Sequence, residues 1–334
     1  MPPAKTPARP GPEAGPGIGP ARPGMADRRN APLVSLMLPL VEALGRLPLP
    51  LLRRFGEALG TAAYRLAPQV RRRVLRNLSI ALGREISESR LRSIALASMR
   101  HFAKGIMEFA ALGALSPQEL DNLVRVEGFE NAERAAAEGT GVVVVTAHLG
   151  NWEVCASKVA LSGFPLTVVV RDTHDARVTR AMVRIRTGIG LNLVSQGSSY
   201  WSLRQRLRRG EVVILLVDQG VGKHGVFVEF FGRFASAHRG AVALAMDTGA
   251  PIICAFCRRE PGDTHTLTLH PPLELRITGD RERDLLRNTS MLAKIVERQI
   301  RELPEQWWWF HRRWKHRPAW EKAITSDDKS DGMR

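Results

Sequence analysis

The stretch Gly141-Val142-Val143-Val144-Val145-Thr146-Ala147-His148-Leu149-Gly150-Asn151-Trp152-Glu153 decides the fold. Its unbroken β-branched run cannot hide one polar face, so it reads as a strand covered on both sides, the habit of parallel sheets. The run stops at His148, and Asn151 is a good N-cap for a helix that follows at once. Working outward, residues 166–170, 212–217 and 251–256 repeat the apolar strand pattern. Helical patterns near 151–162, 174–188, 199–208 and 239–248 separate them. This alternation predicts an α/β domain with a mainly parallel central sheet flanked by helices. Ligands of such sheets bind beyond the carboxyl ends of the strands, where His148 falls.

Glu153 stands in the first turn of the predicted helix, where the helix dipole favours a carboxylate. The spacing from His148 lets it fold back toward the imidazole, so the pair reads as a base and its orienting carboxylate. No Gly-x-Ser-x-Gly elbow accompanies it, and Cys155 is expected to face the core. A histidine base without an enzyme nucleophile implies a substrate that brings its own hydroxyl. Asp218, which closes the 212–217 strand, is a second strand-end carboxylate.

Before this domain the chain is organised differently. Residues 1–31 are rich in Pro, Ala and Gly, lack hydrophobic period and are expected to be a disordered tail, with Met25 an alternative start. Residues 32–115 read as a helical membrane-contact region. Leu51, Leu52, Phe55, Leu59, Ala62 and Ala63 recur at helical steps, with Arg53, Arg54, Arg71, Arg72 and Arg73 outside that stripe. The α/β domain is expected over 116–320, and 321–334 as a second disordered tail. The apolar run at 31–41 is too short and Pro-broken for a spanning helix.

Lys and Arg outnumber Asp and Glu by 49 to 33, which favours an anionic partner such as a lipid headgroup, an acidic carrier protein or nucleic acid. The 44% apolar and 25% charged fractions exclude a fibrous, wholly disordered or polytopic membrane protein. Three cysteines make no secreted disulfide framework, so a reducing compartment is expected. Cys254 and Cys257 sit three apart in a strand and should face opposite sides, against a shared metal site. Phe227, Phe230 and Phe231 fit either core or the wall of an acyl-chain pocket. Trp307, Trp308, Trp309, Trp314 and Trp320 mix with His311, Arg312, Arg313, Lys315 and Arg317, a composition that suits a headgroup interface or an RNA-binding patch.

His148-Leu149-Gly150-Asn151-Trp152-Glu153 resembles the His-(four residues)-Glu signature of the bacterial lipid A biosynthesis acyltransferases, the lauroyl/myristoyl branch of the lysophospholipid acyltransferase superfamily. Glu in place of the superfamily's usual Asp points to this branch. Further blocks resemble it in order: Val217-Asp218-Gln219, the 226–232 run Val-Phe-Val-Glu-Phe-Phe-Gly, Thr248-Gly249-Ala250-Pro251, and Pro304 to Trp307 continuing through His311 to Pro318. The resemblance covers about residues 32–320 and implies a glycerolipid acyltransferase-like fold. It implies transfer of a fatty acyl group from acyl carrier protein or coenzyme A to a hydroxyl of a lipid A precursor or related glycolipid. That activity belongs on the cytoplasmic face of the bacterial inner membrane and needs neither cofactor nor metal. His148 and Glu153 would be catalytic. Arg186 and Asp218 would bind substrate, Arg186 as a grip on phosphate or on the developing oxyanion. Arg171 is a further substrate-binding candidate, although Val170-Arg171-Asp172 departs from the family's Tyr-Arg-Pro. The alternatives are an acyltransferase for another lysolipid or glycolipid, or a basic nucleic-acid-binding protein without catalysis.

Overall fold

The computed structural model describes residues 43–170, 173, 175–195, 200–222, 225–318 and 320–321. The expected tail at 1–31, nearly all of the expected C-terminal tail, and Arg171 lie outside them. Three helices come first, α1 (Leu49–Leu66), α2 (Pro68–Leu82) and α3 (Glu88–Ala111). Helix α4 (Pro117–Leu123) opens on a capping box in which Ser116 and Glu119 satisfy each other's backbone N–H. The remaining strands and helices then alternate: β1 (Val124–Glu127), α5 (Phe129–Ala137), β2 (Val142–Thr146), α6 (Trp152–Ala160), β3 (Leu166–Val170), α7 (Ala176–Gly188) and β4 (Asn192–Ser195). After them come α8 (Tyr200–Arg208), β5 (Val212–Leu216), the hairpin β6 (Val226–Phe230) and β7 (Arg233–Ala237), α9 (Gly240–Thr248), β8 (Ile252–Arg259), β9 (His265–Pro272) and α10 (Arg281–Glu302).

Seven strands form one sheet in the order β1-β9-β8-β2-β5-β3-β4. The run from β8 to β4 is parallel, whereas β9 returns antiparallel to β8 and carries β1 with it. The α/β, mainly parallel reading is therefore correct, with an antiparallel flank that the apolar runs did not foretell. Every residue of β2 is buried. Val143 and Val145 enter one core, beside Val74, Leu78 and Ile94 of α2 and α3, while Val142 and Val144 enter the other, under α4, α5 and α6. The N-terminal helices thus share a core with the sheet.

The same alternation places Cys254 in the first core and Cys257 in the second, as strand geometry requires. Cys155 also faces the second core, and it is bonded to Cys257. The expectation of a reducing compartment did not anticipate this disulfide. It arises because α6 lies on β8 with the two Cα atoms 6.4 Å apart, inside the span a disulfide bridges.

Helix α1 crosses α3 at Gly56 and Gly60, where a Cβ would come within 2.8 and 2.5 Å of the α3 backbone. That crossing decides the fate of the apolar stripe read from sequence. Leu52 is buried with the glycines, but Leu51, Phe55 and Leu59, at four-residue steps, remain exposed. Among the described residues no helix is long and apolar enough to cross a membrane.

Candidate active site

Register brings the site together. Strands β2 and β5 are adjacent and parallel, with Thr146 opposite Leu216. Two residues further along each strand, His148 and Asp218 therefore leave the sheet side by side. The His148 backbone N–H donates to Asp218 Oδ2 at 3.0 Å, and Nδ1 lies 2.8 Å from Oδ1. Trp307 donates its indole N–H to Oδ2 at 2.7 Å. Burial pushes the Asp218 carboxyl up, but the His148 charge and these donors outweigh it and hold the group at about 2. An ionised carboxylate on Nδ1 fixes the proton there and leaves Nε2 as the basic nitrogen.

Glu153 therefore does not meet the imidazole that its spacing offered as partner. The carboxylate that meets the imidazole belongs to Asp218. Glu153, in the first turn of α6, turns to α7 instead, where both prongs of Arg186 grip it: Nε donates to Oε2 at 3.1 Å and Nη2 to Oε1. The Trp152 indole N–H also donates to Glu153 Oε1, at 3.2 Å. This corrects two expectations. Packing of α7 beside α6 offers Glu153 a charged partner in place of the imidazole, and the Arg186 fork expected on substrate is occupied by Glu153. Asp218, expected at the acceptor, is closed in beneath the imidazole.

Trp152 and Trp308 stand edge-on to His148, with centroids 4.8 and 5.2 Å from its ring. Phe102 packs on Trp308 at 4.7 Å and on Phe310 at 4.9 Å, extending the wall. Gln219 Nε2 lies 3.3 Å from His148 Nε2 and offers a polar group on the open side. The result is a largely buried imidazole edged by aromatic rings, with the Gln219 amide beside its Nε2.

The C-terminal tryptophans explain the wall. Residues 306–308 run antiparallel beside the 148–150 loop: Gly150 N–H donates to Gln306 C=O at 3.1 Å and Trp308 N–H to His148 C=O at 3.1 Å. Trp307, Trp309 and Trp314 are buried, and among these five only Trp320 is strongly exposed. The block read as a headgroup or RNA surface is therefore mostly core and the wall around His148. Phe230 and Phe231 are likewise core, packed against Trp307, Trp309 and Trp314.

Beneath the loop lies a charge cluster that sequence reasoning missed. Glu108 of α3 is fully buried and accepts from Arg259 Nη1 and Nη2 at 2.7 and 2.6 Å, Arg53 Nε at 2.6 Å and the Asn151 amide at 2.6 Å. Burial pushes its carboxyl up, but the His265 ring 3.5 Å away and the Arg259 guanidinium bring it well below the ordinary range. His101 meets Gly150 C=O at 3.1 Å through Nε2. Burial and the Arg259 charge lower its pKa to about 3, so it is neutral and donates that N–H. Gly150 has φ +62°, and a Cβ there would lie 2.1 Å from the Cys257 carbonyl oxygen, so only glycine lets the loop pass.

The family described as "Bacterial lipid A biosynthesis acyltransferase" matches residues 28–316. The chain belongs to that family. It is 26% identical to the lipid A biosynthesis lauroyltransferase of Escherichia coli K12, over 82% of this chain and 88% of the relative. Against the palmitoleoyltransferase of the same organism it is 25% identical over 84% and 90%. Against the phosphatidylinositol mannoside acyltransferase of Mycolicibacterium smegmatis it is 24% identical over 78% and 84%. The protein is accordingly an acyltransferase.

Proposed function

We propose that the enzyme moves a fatty acyl group from an acyl thioester, on acyl carrier protein or coenzyme A, to a hydroxyl of a lipid A precursor or related glycolipid. The observation that carries this reading is His148 held on Asp218 and edged by aromatic rings, with no serine or cysteine nucleophile beside it among the described residues. His148 Nε2 takes the acceptor hydroxyl proton as the oxygen attacks the thioester carbonyl. The tetrahedral intermediate then collapses, the carbon–sulfur bond breaks, and the departing sulfur takes the proton back from the imidazolium as a thiol. Asp218 stabilises the transient imidazolium without itself being protonated. Glu153 and Arg186 act one step removed, by fixing the Trp152 indole against the ring. Acyl transfer from acyl carrier protein and from coenzyme A to a panel of glycolipids, read by mass spectrometry, tests this. The full-length protein should be active with at least one pair, and His148→Ala should lower the rate roughly 10²- to 10⁴-fold. Near-normal turnover by folded His148→Ala would remove the base.

A second acceptor class, mannosylated phosphoinositides, is favoured by the similarity to the mycolicibacterial relative, and the same panel decides between them. We place the enzyme peripherally on the cytoplasmic face of the inner membrane. Support comes from the exposed Leu51, Phe55 and Leu59 row with Arg54, Arg65, Arg72 and Arg73 exposed around it. Leu51→Glu with Phe55→Glu should release the protein from anionic vesicles in flotation, whereas salt alone should not.

A further inference from the structure

Arg313 is 2% exposed, and its guanidinium carbon lies 4.7 Å over the Phe230 ring. Its Nη1 donates to the Ser236 carbonyl, yet its Nε is buried with no partner among the described residues. The side chain lines a cavity of about 10 Å³, together with Asp218, His238, Thr289 and Val296. Thr289 Oγ1 is buried and unpartnered as well. A space of that size holds one water, and a water there needs the polar neighbours these atoms supply.

A guanidinium taken out of water without a carboxylate in direct contact is costly, so its charge must be balanced nearby. The carboxylate on the cavity wall is Asp218. Burial pushes the Arg313 pKa down to about 10, against the attraction of Asp218. It therefore remains a cation at neutral pH. Asp218 is bonded to His148 and Trp307, and it lines the same small cavity as Arg313.

We propose that Arg313 is a positioning residue of the acyl-transfer site, its charge acting across the shared cavity to hold Asp218 ionised and aimed at His148. The idea rests on the reading of His148 as the base. It separates Arg313 from its neighbour Arg312, which is exposed and serves as a control. Without Arg313, Asp218 holds a proton more tightly, since it loses a nearby positive charge, and its hold on the imidazole weakens. The acid limb of the rate profile should then move to higher pH.

The test uses the full chain with Arg313→Met, Arg312→Met, Asp218→Asn, and Arg313→Met combined with Asp218→Asn. Acyl transfer is followed from pH 5 to 9 alongside thermal melting. Arg313→Met should lower kcat about tenfold or more with KM little changed, and raise the acid limb by about half a pH unit. Arg312→Met should do neither. Melting of Arg313→Met should fall, and adding Asp218→Asn should recover part of that fall, because the two charges balance each other. If Arg313→Met is too unstable to assay, this recovery decides alone. An unmoved limb in a folded Arg313→Met, or strictly additive melting shifts, would overturn the proposal. Unimpaired His148→Ala would instead overturn the base, and the melting cycle would still report on Arg313.

Discussion

Asp218 and Glu108 are both buried carboxylates held ionised around the 148–151 loop, and the difference between them separates chemistry from scaffold. Glu108 is bonded to two arginines and to the Asn151 amide, with the His265 ring 3.5 Å away and fully buried, out of reach of any substrate. Asp218 gives its one strong side-chain contact with a titratable group to His148, whose other nitrogen lies beside the Gln219 amide. A carboxylate saturated by fixed donors can only hold the loop in place. One that shares a proton-bearing ring can tune a base.

Exchanging the acids for amides should expose this division. Asp218→Asn should cost acyl transfer roughly 10²- to 10⁴-fold while the protein still melts cooperatively, because the ring loses its tautomer and its counter-charge. Glu108→Gln should act chiefly on stability, by about 3–5 kcal/mol, since it strands buried guanidinium groups. Steady-state rates and denaturant melts on both variants check this. Comparable rate losses at comparable stability would erase the distinction.

Acid titration should separate the two regions again. The His101 pKa in the fold, about 3, lies below its ordinary value of 6.5, so the unfolded chain takes up a proton first. Its contribution is complete above pH 6.5 and falls as pH drops toward 3, by about 1.4 kcal/mol per unit. Asp218, at about 2 against an ordinary 3.8, contributes fully above pH 3.8 and is lost only below it. Melting temperature should therefore decline from about pH 6 through His101, well before Asp218 titrates. His101→Gln should flatten the upper part of that decline. An unchanged slope would show that His101 does not govern it.

Much of the fold was legible because β2, β3, β5 and β8 are buried on both faces, so their sequences are nearly continuous apolar runs. Strand β9 and the hairpin β6–β7 were not, since polar residues interrupt their apolar ones. His148 was legible from its strand end, but its partner was not. The meeting with Asp218 depends on β5 inserting beside β2, ahead of β3, a choice made by long-range pairing. The partner of Glu153 was misread because local spacing ignores where a first-turn side chain points once α7 packs nearby. Glu108 and Arg259 lie 151 residues apart and carry no pattern at all. The tryptophan block misled because composition does not distinguish an indole that faces lipid from one buried under a carboxylate.

The smallest effect sharpens the comparison on the aromatic wall. Arg180 and Arg186 share α7, but six residues turn a helix by about 600°, leaving them about 120° apart. Arg180 is exposed, whereas Arg186 reaches Glu153 and lies over the Phe109 ring at 5.6 Å. Arg186→Lys keeps the charge but cannot reproduce the two-pronged grip, so Trp152 should lose part of its anchor. One charge-assisted hydrogen bond is worth about 1.5 kcal/mol or more, which predicts roughly a tenfold loss in kcat/KM. Arg180→Ala should stay within about twofold of the parent, as surface substitutions usually do. Steady-state assays with a saturating acyl donor measure both. Equal losses at the two positions would mean that a diffuse basic face, and not the Glu153 anchor, is what α7 contributes.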